Sequence, residues 1–405
     1  MRLRKGSQSR TGRRHYIMSF AAILSASRAP ADSSGGLRAC LHFAGQTLVE
    51  YQARQAVRAG ADRIFVMVSV ITPALSQAVD RLSADGIAVA LVRDMVSMVR
   101  DAPRDADVLL IADGAIVSQA HVDHLGSAMG DTLLVADDSR ASAPLERIDA
   151  GQRWAGLARI SPALLFGTLD MIGDWDLALT LVRSAVQKGA RRITVPEADL
   201  LEGRAAMVES QQQADLVAQA ITSAGADRAY DRGGLEHYVL APLARSIGGA
   251  LMRLQVPAFQ VRIGAMALAA IALVPIELSW VLPGFCLMLV AILLCDSADR
   301  LDELALRPPP RGWTAFVAPA LTLIGIALAG ESAVAFDLAM LVMLLTLAVR
   351  WRRLGGVMPW MVFTPATLLV LLIIGGALGF MQEAYRLGML AAIASAGALI
   401  LRRPA

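Results

Sequence analysis

From residue 261 to residue 401 this chain is one apolar stretch after another, and that run constrains its fold more than any other feature. Backbone groups in such stretches can be satisfied in lipid only within helices or closed barrels, and these lengths suit helices. Six stretches stand out, at 263–278, 281–295, 313–330, 333–349, 364–381 and 387–401. Several fall short of the roughly 20 residues of a perpendicular span, but flanking residues complete each. Cations between them alternate. Arg245, Arg253 and Arg262 precede the first, Arg300, Arg307 and Arg311 follow the second, Arg350, Arg352 and Arg353 the fourth, and Arg402 and Arg403 the sixth. The loops after the first, third and fifth hold only Arg386. This pattern predicts an all-α domain of six spans in an inner (cytoplasmic) membrane, with both termini cytoplasmic.

The excess of apolar residues explains why 56% of the 405 residues are hydrophobic and only 18% charged. Residues 1 to about 235 have ordinary soluble composition. A net charge of +3, with no basic stripe interleaved with aromatics, excludes a nucleic-acid partner. Three scattered cysteines, Cys40, Cys286 and Cys295, make neither a disulfide framework nor a metal knuckle. Residues 1–17 read as a disordered basic tail. No apolar core with a cleavage site follows it, so a secretory signal is not expected, and Met1 and Met18 both stand as candidate starts.

Residues 18–196 alternate between strand-like and helix-like runs. The apolar run 20–26 reads as a buried strand, 48–59 as a helix stopped by Gly60, 64–70 as a strand, 73–85 as a helix, and 87–92 and 108–112 as strands. Such alternation predicts an α/β domain with a mainly parallel sheet and ligands at the carboxyl ends of its strands. Two loops lie there, one after Ala26 and one at Asp113-Gly114.

The run Phe43-Ala-Gly-Gln-Thr-Leu-Val-Glu-Tyr-Gln-Ala-Arg-Gln-Ala-Val-Arg-Ala-Gly-Ala-Asp-Arg-Ile-Phe-Val resembles the first helix and second strand of the nucleotidyltransferase-like fold of sugar-phosphate nucleotidyltransferases. Trp154-Ala-Gly-Leu-Ala is similar to a later sugar-side segment, and Asp174-Trp-Asp-Leu-Ala-Leu to the helix after it. The resemblance implies a glycine-rich loop cradling nucleotide phosphates, a basic residue beside it, and a metal-binding Asp, whose place Asp113 takes. The loop here departs from the family pattern: Gly35 and Gly36, with Arg28 and Arg38, stand where the family has a Gly-x-Gly-x-x-Arg loop and a Pro-Lys pair. These four are the candidate phosphate or nucleotide binders. For Asp113 the alternative is a loop aspartate capping a turn.

Residues 197–234 read as a polar helical connector, and 235–254 as an amphipathic helix suited to a membrane surface. The polar island 295–311 then carries Asp296, Asp299, Asp302 and Glu303 at the cytoplasmic end of the second span. On a helix, Asp296, Asp299 and Glu303 share one face, with Asp302 to the side. An oxygen-rich cluster of this kind suits Mg²⁺ or Mn²⁺; the alternative is a solvated helix end balanced by Arg300, Arg307 and Arg311.

An amphipathic juxtamembrane helix, the element Val256-Pro-Ala-Phe-Gln-Val-Arg, six spans and an acidic cluster after the second together resemble the CDP-alcohol phosphotransferases. The resemblance implies transfer of a phosphatidyl or phospho-alcohol group from a CDP-linked donor to an alcohol, a membrane lipid as partner, Mg²⁺ or Mn²⁺ as cofactor, and homodimerisation. The family motif is D-x-x-D-G-x-x-A-R-x8-G-x3-D-x3-D. Its first two positions fall on Asp296 and Asp299, and its last two on Val317 and Leu321. Asp302 and Glu303 are then the substitute ligands, and Arg262 and Arg307 the phosphate contacts. Residues 235–405 are thus expected to form a CDP-alcohol phosphotransferase-like membrane domain. A non-catalytic nucleotide- or lipid-binding descendant and a small transporter remain as alternatives.

Overall fold

The computed structural model describes residues 20–32, 36–93, 95–169, 176–224, 236–253, 256–307, 316–330, 332–352 and 361–401. The basic tail, Gly35, Asp174, the 225–235 segment and the prolines 308–310 lie outside them. Two compact units make up the chain, Met1–Ala224 and Gly225–Ala405.

In the first unit, β1 (Phe20–Ala26) is followed by α1 (Leu48–Arg58), β2 (Ala61–Val68), α2 (Pro73–Ala84), β3 (Val89–Val92) and β4 (Val108–Ile111). Then come β5 (Ala115–Val117), α3 (Gln119–Ser127), β6 (Thr132–Asp137), β7 (Glu146–Arg147), β8 (Gln152–Ile160), α4 (Leu177–Gln187), β9 (Arg191–Thr194), β10 (Ala205–Met207) and α5 (Gln211–Ala224). The main sheet runs in the order β9-β6-β8-β4-β1-β2-β3, with β7 on β8. β1 pairs in parallel with β2 and β4, and β8 is antiparallel to β4 and β6. All four residues of β4, an unbroken apolar run between β1 and β8 in the mixed sheet, are buried.

Local signals start the helices where the sequence places them. Thr47 and Glu50 form a reciprocal capping box at α1, and the Thr72 hydroxyl accepts from the Leu75 N–H ahead of Pro73 at α2. Glu50 is fully buried. Burial pushes its carboxyl up, but bonds from Arg81 and Thr47 outweigh that and hold it below the usual carboxylate range. Through Arg81, this carboxylate fastens the start of α1 to α2.

The unit extends past residue 196. β10 pairs antiparallel with β5, and the Val208 N–H donates to the Gly114 carbonyl at 2.8 Å. The side chain of Gln211 exchanges bonds with the backbone of His42. Residues 197–224, read from sequence as a connector, are therefore part of the α/β unit.

In the second unit a π-helical turn (Glu236–Leu240) runs into α6 (Ala241–Arg253). It continues with α7 (Ala258–Ile271), α8 (Leu273–Glu277), α9 (Val281–Leu304), α10 (Val317–Ala329), α11 (Ala333–Arg352), α12 (Pro365–Ala377) and α13 (Met381–Leu401). Among the described residues three helical stretches are long and apolar enough to cross a membrane: Ala258–Glu277, Val281–Leu304 and Met381–Ile400. Three shorter apolar helices, Val317–Ala329, Ala333–Val349 and Pro365–Ala377, accompany them. Phe285, Met288, Ile326, Leu338, Leu369 and Leu372 fill the interior, while Ile324, Phe336, Leu344, Leu390 and Ile393 face outward. An apolar exterior around an apolar interior is what lipid, rather than water, permits. Glu277 and Asp337 are exposed near helix ends.

Gly114 shows how tightly the end of β4 is packed. Its φ is +88°, and an added Cβ would sit 2.4 Å from the Val208 carbonyl oxygen. Gly130 has φ +72° but opens onto free space. Gly114→Ala should cost more than about 2 kcal/mol, against about 1 kcal/mol for Gly130→Ala. Urea unfolding of the α/β unit within the full chain checks this difference.

Candidate functional site

The chain leaves β1 for β2 and β3 on one side, then crosses back to β4 on the other. The carboxyl ends of β1 and β4 flank that reversal, where open α/β sheets leave a crevice. Asp113, two residues beyond β4, reaches across it. Its Oδ2 accepts from the backbone N–H of Ser27 at 3.0 Å and of Arg28 at 2.8 Å, the first residues after β1. Asp113 is only 5% exposed, and its Oδ1 is buried without a hydrogen-bond partner. Burial pushes its carboxyl up to about 6, against the lowering pull of the Arg28 N–H, the Arg38 charge and the Ser27 N–H.

The loop carrying Asp113 is fixed from three directions. Gln52 donates to the carbonyls of Ala112 and Ala115 at 3.1 and 2.7 Å, and the Ala112 N–H donates to Gly156 at 2.8 Å. Val208 closes the third side. The Gly156 contact depends on an irregularity in β8, where the pairing with β6 skips between Trp154 and Ala158. Gly156 has φ +86° there, and a Cβ would meet the Ala115 Cβ at 2.4 Å. Trp154, donating from Nε1 to the Leu157 carbonyl at 2.8 Å, is turned to the same cleft.

A cavity of about 100 Å³ opens at this point. Arg28, Asp113, Glu146, Trp154, Asp176 and Glu209 are among its lining residues. Arg28 pairs with Asp176 at 3.0 Å, and Asp176 also caps α4 by accepting from the Ala178 and Leu179 N–H groups. Arg38 lies against Gly114 and pairs with Glu209 at 3.5 Å. It is 7% exposed, and its Nε and Nη1 have no hydrogen-bond partner. Of the residues expected from sequence, the structure thus brings Asp113, Arg28 and Arg38 together. Gly36 is exposed with no atom near its Cβ position, and Gly35 lies outside the described residues. Glu146 and Glu209 were missed. Glu209 comes from the segment after β10, and only the β5–β10 pairing brings it here.

The expected second site sits at the end of α9. Its partner is α7, whose Ala258 and Val261 pack on Ala298 and Leu301. That contact sets which face of α9 is inside, and it differs from the expected one. Arg262 on α7 donates through Nη2 to Asp299 Oδ1 at 2.7 Å and Asp302 Oδ2 at 2.8 Å. Arg307 stands 3.8 Å from Asp302. Asp296 is buried, while Glu303 is exposed and takes no place in the cluster. Asp302, expected to the side, is the buried member in place of Glu303.

Whether a divalent ion fits differs between the two places. Among the described residues no group of three or more His, Cys, Asp or Glu is placed to hold one alone. The cleft does not need such a group, because Mg²⁺ is commonly held by one or two carboxylates plus the phosphates of its ligand. The orphaned Oδ1 of Asp113 fits that role. At α9, Asp299 and Asp302 already share the Arg262 guanidinium, so this pair does not fit a bridging metal.

No family model matches the sequence, and no curated protein does. Solved structures similar to the N-terminal half include the inositol-1-phosphate CTP transferase from T. maritima, at 14% identity and a TM-score of 0.38, covering 50% of this chain and 96% of that one. A putative glucose-1-phosphate thymidylyltransferase from Bacillus anthracis in complex with a sucrose gives 9% and 0.36, covering 44% and 87%. A UDP-glucose pyrophosphorylase complexed with UDP-glucose gives 8% and 0.38, covering 51% and 100%.

If Arg38 supplies the buried positive charge beside Asp113, Arg38→Met should raise the Asp113 pKa above about 6, because the charged carboxylate loses its counterion. Infrared difference titration of the carboxyl band, assigned by its loss in Asp113→Asn, measures this.

Proposed function

We propose that this protein binds a nucleotide with its divalent cation in the α/β cleft, as a membrane-anchored member of the nucleotidyltransferase type. The observation that carries the reading is Asp113: a buried carboxylate with one oxygen holding the loop after β1 and the other without a partner. The electrostatics support it. Asp113, Glu146, Asp176 and Glu209 outnumber Arg28 and Arg38, so a bare polyphosphate would be repelled. A polyphosphate carrying Mg²⁺ or Mn²⁺ would not be.

In this reading Asp113 Oδ1 would hold the metal, which supplies charge neutralisation at the phosphates when bound. Arg28 and Arg38 would donate to phosphate oxygens; Arg38 already carries two buried donors without partners. The helices of 235–405 would hold the unit at a membrane, with six spans and cytoplasmic termini, on the Arg distribution of the sequence. The narrower expectation of a CDP-alcohol phosphotransferase needs a metal at Asp296 and Asp299. A guanidinium stands beside that position instead, and we derive no transfer step through it.

The test is calorimetric binding of nucleoside triphosphates, CTP first, to the full chain in detergent with Mg²⁺. Arg38→Met should weaken binding about tenfold or more, the scale of a charge-assisted hydrogen bond. Asp113→Asn should abolish the dependence on Mg²⁺. Because Asp113 is protonated below about 6, Mg²⁺-dependent affinity should fall as pH drops through that value and level off above it. In Asp113→Asn the profile should be flat. No binding of any of the four common triphosphates at millimolar concentration would refute the proposal.

A further inference from the structure

We infer that Arg262 is the resident cation of the acidic end of α9, and that this end of the bundle is a closed ion cluster which does not take up Mg²⁺ or Mn²⁺. One guanidinium nitrogen, Nη2, bonds to both Asp299 and Asp302, which lie on successive turns of α9. The side chains involved are 9%, 18% and 11% exposed for Arg262, Asp299 and Asp302. A divalent ion bridging the two carboxylates would occupy the space that this nitrogen fills, between oxygens 2.7 and 2.8 Å away. Metal–oxygen distances of 2.0–2.6 Å need a similar gap, so cation and guanidinium compete for one place.

Arg262 is held there by its helix. It lies beside Val261 and four residues beyond Ala258, both packed against α9, and one turn on Ala265 packs with Cys295 of α9. Small residues at a helix interface allow this close approach. Arg262 therefore cannot withdraw without separating α7 from α9. The guanidinium is also permanently charged. Arg307, 3.8 Å from Asp302, adds further positive charge. The consequence is that the cluster joins two helices where the sequence suggested a catalytic metal. The inference does not depend on nucleotide binding in the cleft.

The test measures Mn²⁺ alone, by electron paramagnetic resonance and by thermal unfolding of the full chain in detergent. Wild type should show no bound Mn²⁺ that Asp299→Asn removes. Arg262→Met should lower the unfolding midpoint by about 5 °C or more, because it leaves Asp299 and Asp302 without the guanidinium they share. Millimolar Mn²⁺ should restore part of that loss. Arg262→Met combined with Asp299→Asn and Asp302→Asn should recover most of the stability without Mn²⁺, because the three directly bonded charges are removed together. If Arg262→Met fails to fold, this triple variant still gives the comparison. Mn²⁺ bound by wild type and lost in Asp299→Asn would overturn the inference, as would a triple variant no more stable than Arg262→Met.

Discussion

The bond from one oxygen of Asp113 to two successive backbone N–H groups holds the α/β unit's cleft in shape. It ties the residue after β4 to the loop after β1 across the point where the sheet reverses direction. Three neighbouring contacts fix the loop that carries it. Gln52 holds the Ala112 and Ala115 carbonyls, Gly156 accepts from Ala112, and Val208 presses on Gly114. A carboxylate this buried is expensive to keep charged, and its pKa of about 6 reflects the balance. Such a perturbed group in a cleft, with Arg38 as its charge partner, is a candidate functional site.

The two acidic regions show how the same side chain type acquires opposite roles. Asp113 has a charge partner nearby, lines a cavity and keeps one buried oxygen unpaired. Asp299 and Asp302 share a guanidinium donated by the adjacent helix. On the proposed reading, an incoming cation would complete the first arrangement and would have to break the second. Removing one member of a buried charged cluster strands the others, so such clusters persist once formed.

Much of the fold was legible because it rests on local rules. The apolar run at 20–26, the Thr72-Pro73 helix start and the buried strand at 108–111 each follow from capping, proline geometry or β-branched runs. The end of the α/β unit was not, since β10 is three residues long and its place is set by a distant partner, β5. Glu209 was missed for the same reason. Helical periodicity grouped Asp296, Asp299 and Glu303 on one face of α9, but periodicity does not say where the neighbouring helix lies. The small residues of α7 pack on Ala298 and Leu301, which turns Asp302 inward and leaves Glu303 exposed. Arg38 begins a short 3-10 turn, and only its burial next to Gly114 shows that its charge reaches Asp113.

The central claim is that metal enters this protein with a nucleotide, at Asp113, and nowhere on its own. Counting Mn²⁺ bound per full-length chain, with and without saturating nucleoside triphosphate, tests it most directly. The account predicts one protein-bound Mn²⁺ with nucleotide, lost in Asp113→Asn and kept in Asp299→Asn, and none without nucleotide. A Mn²⁺ retained without nucleotide, or one released by Asp299→Asn but not by Asp113→Asn, would contradict it.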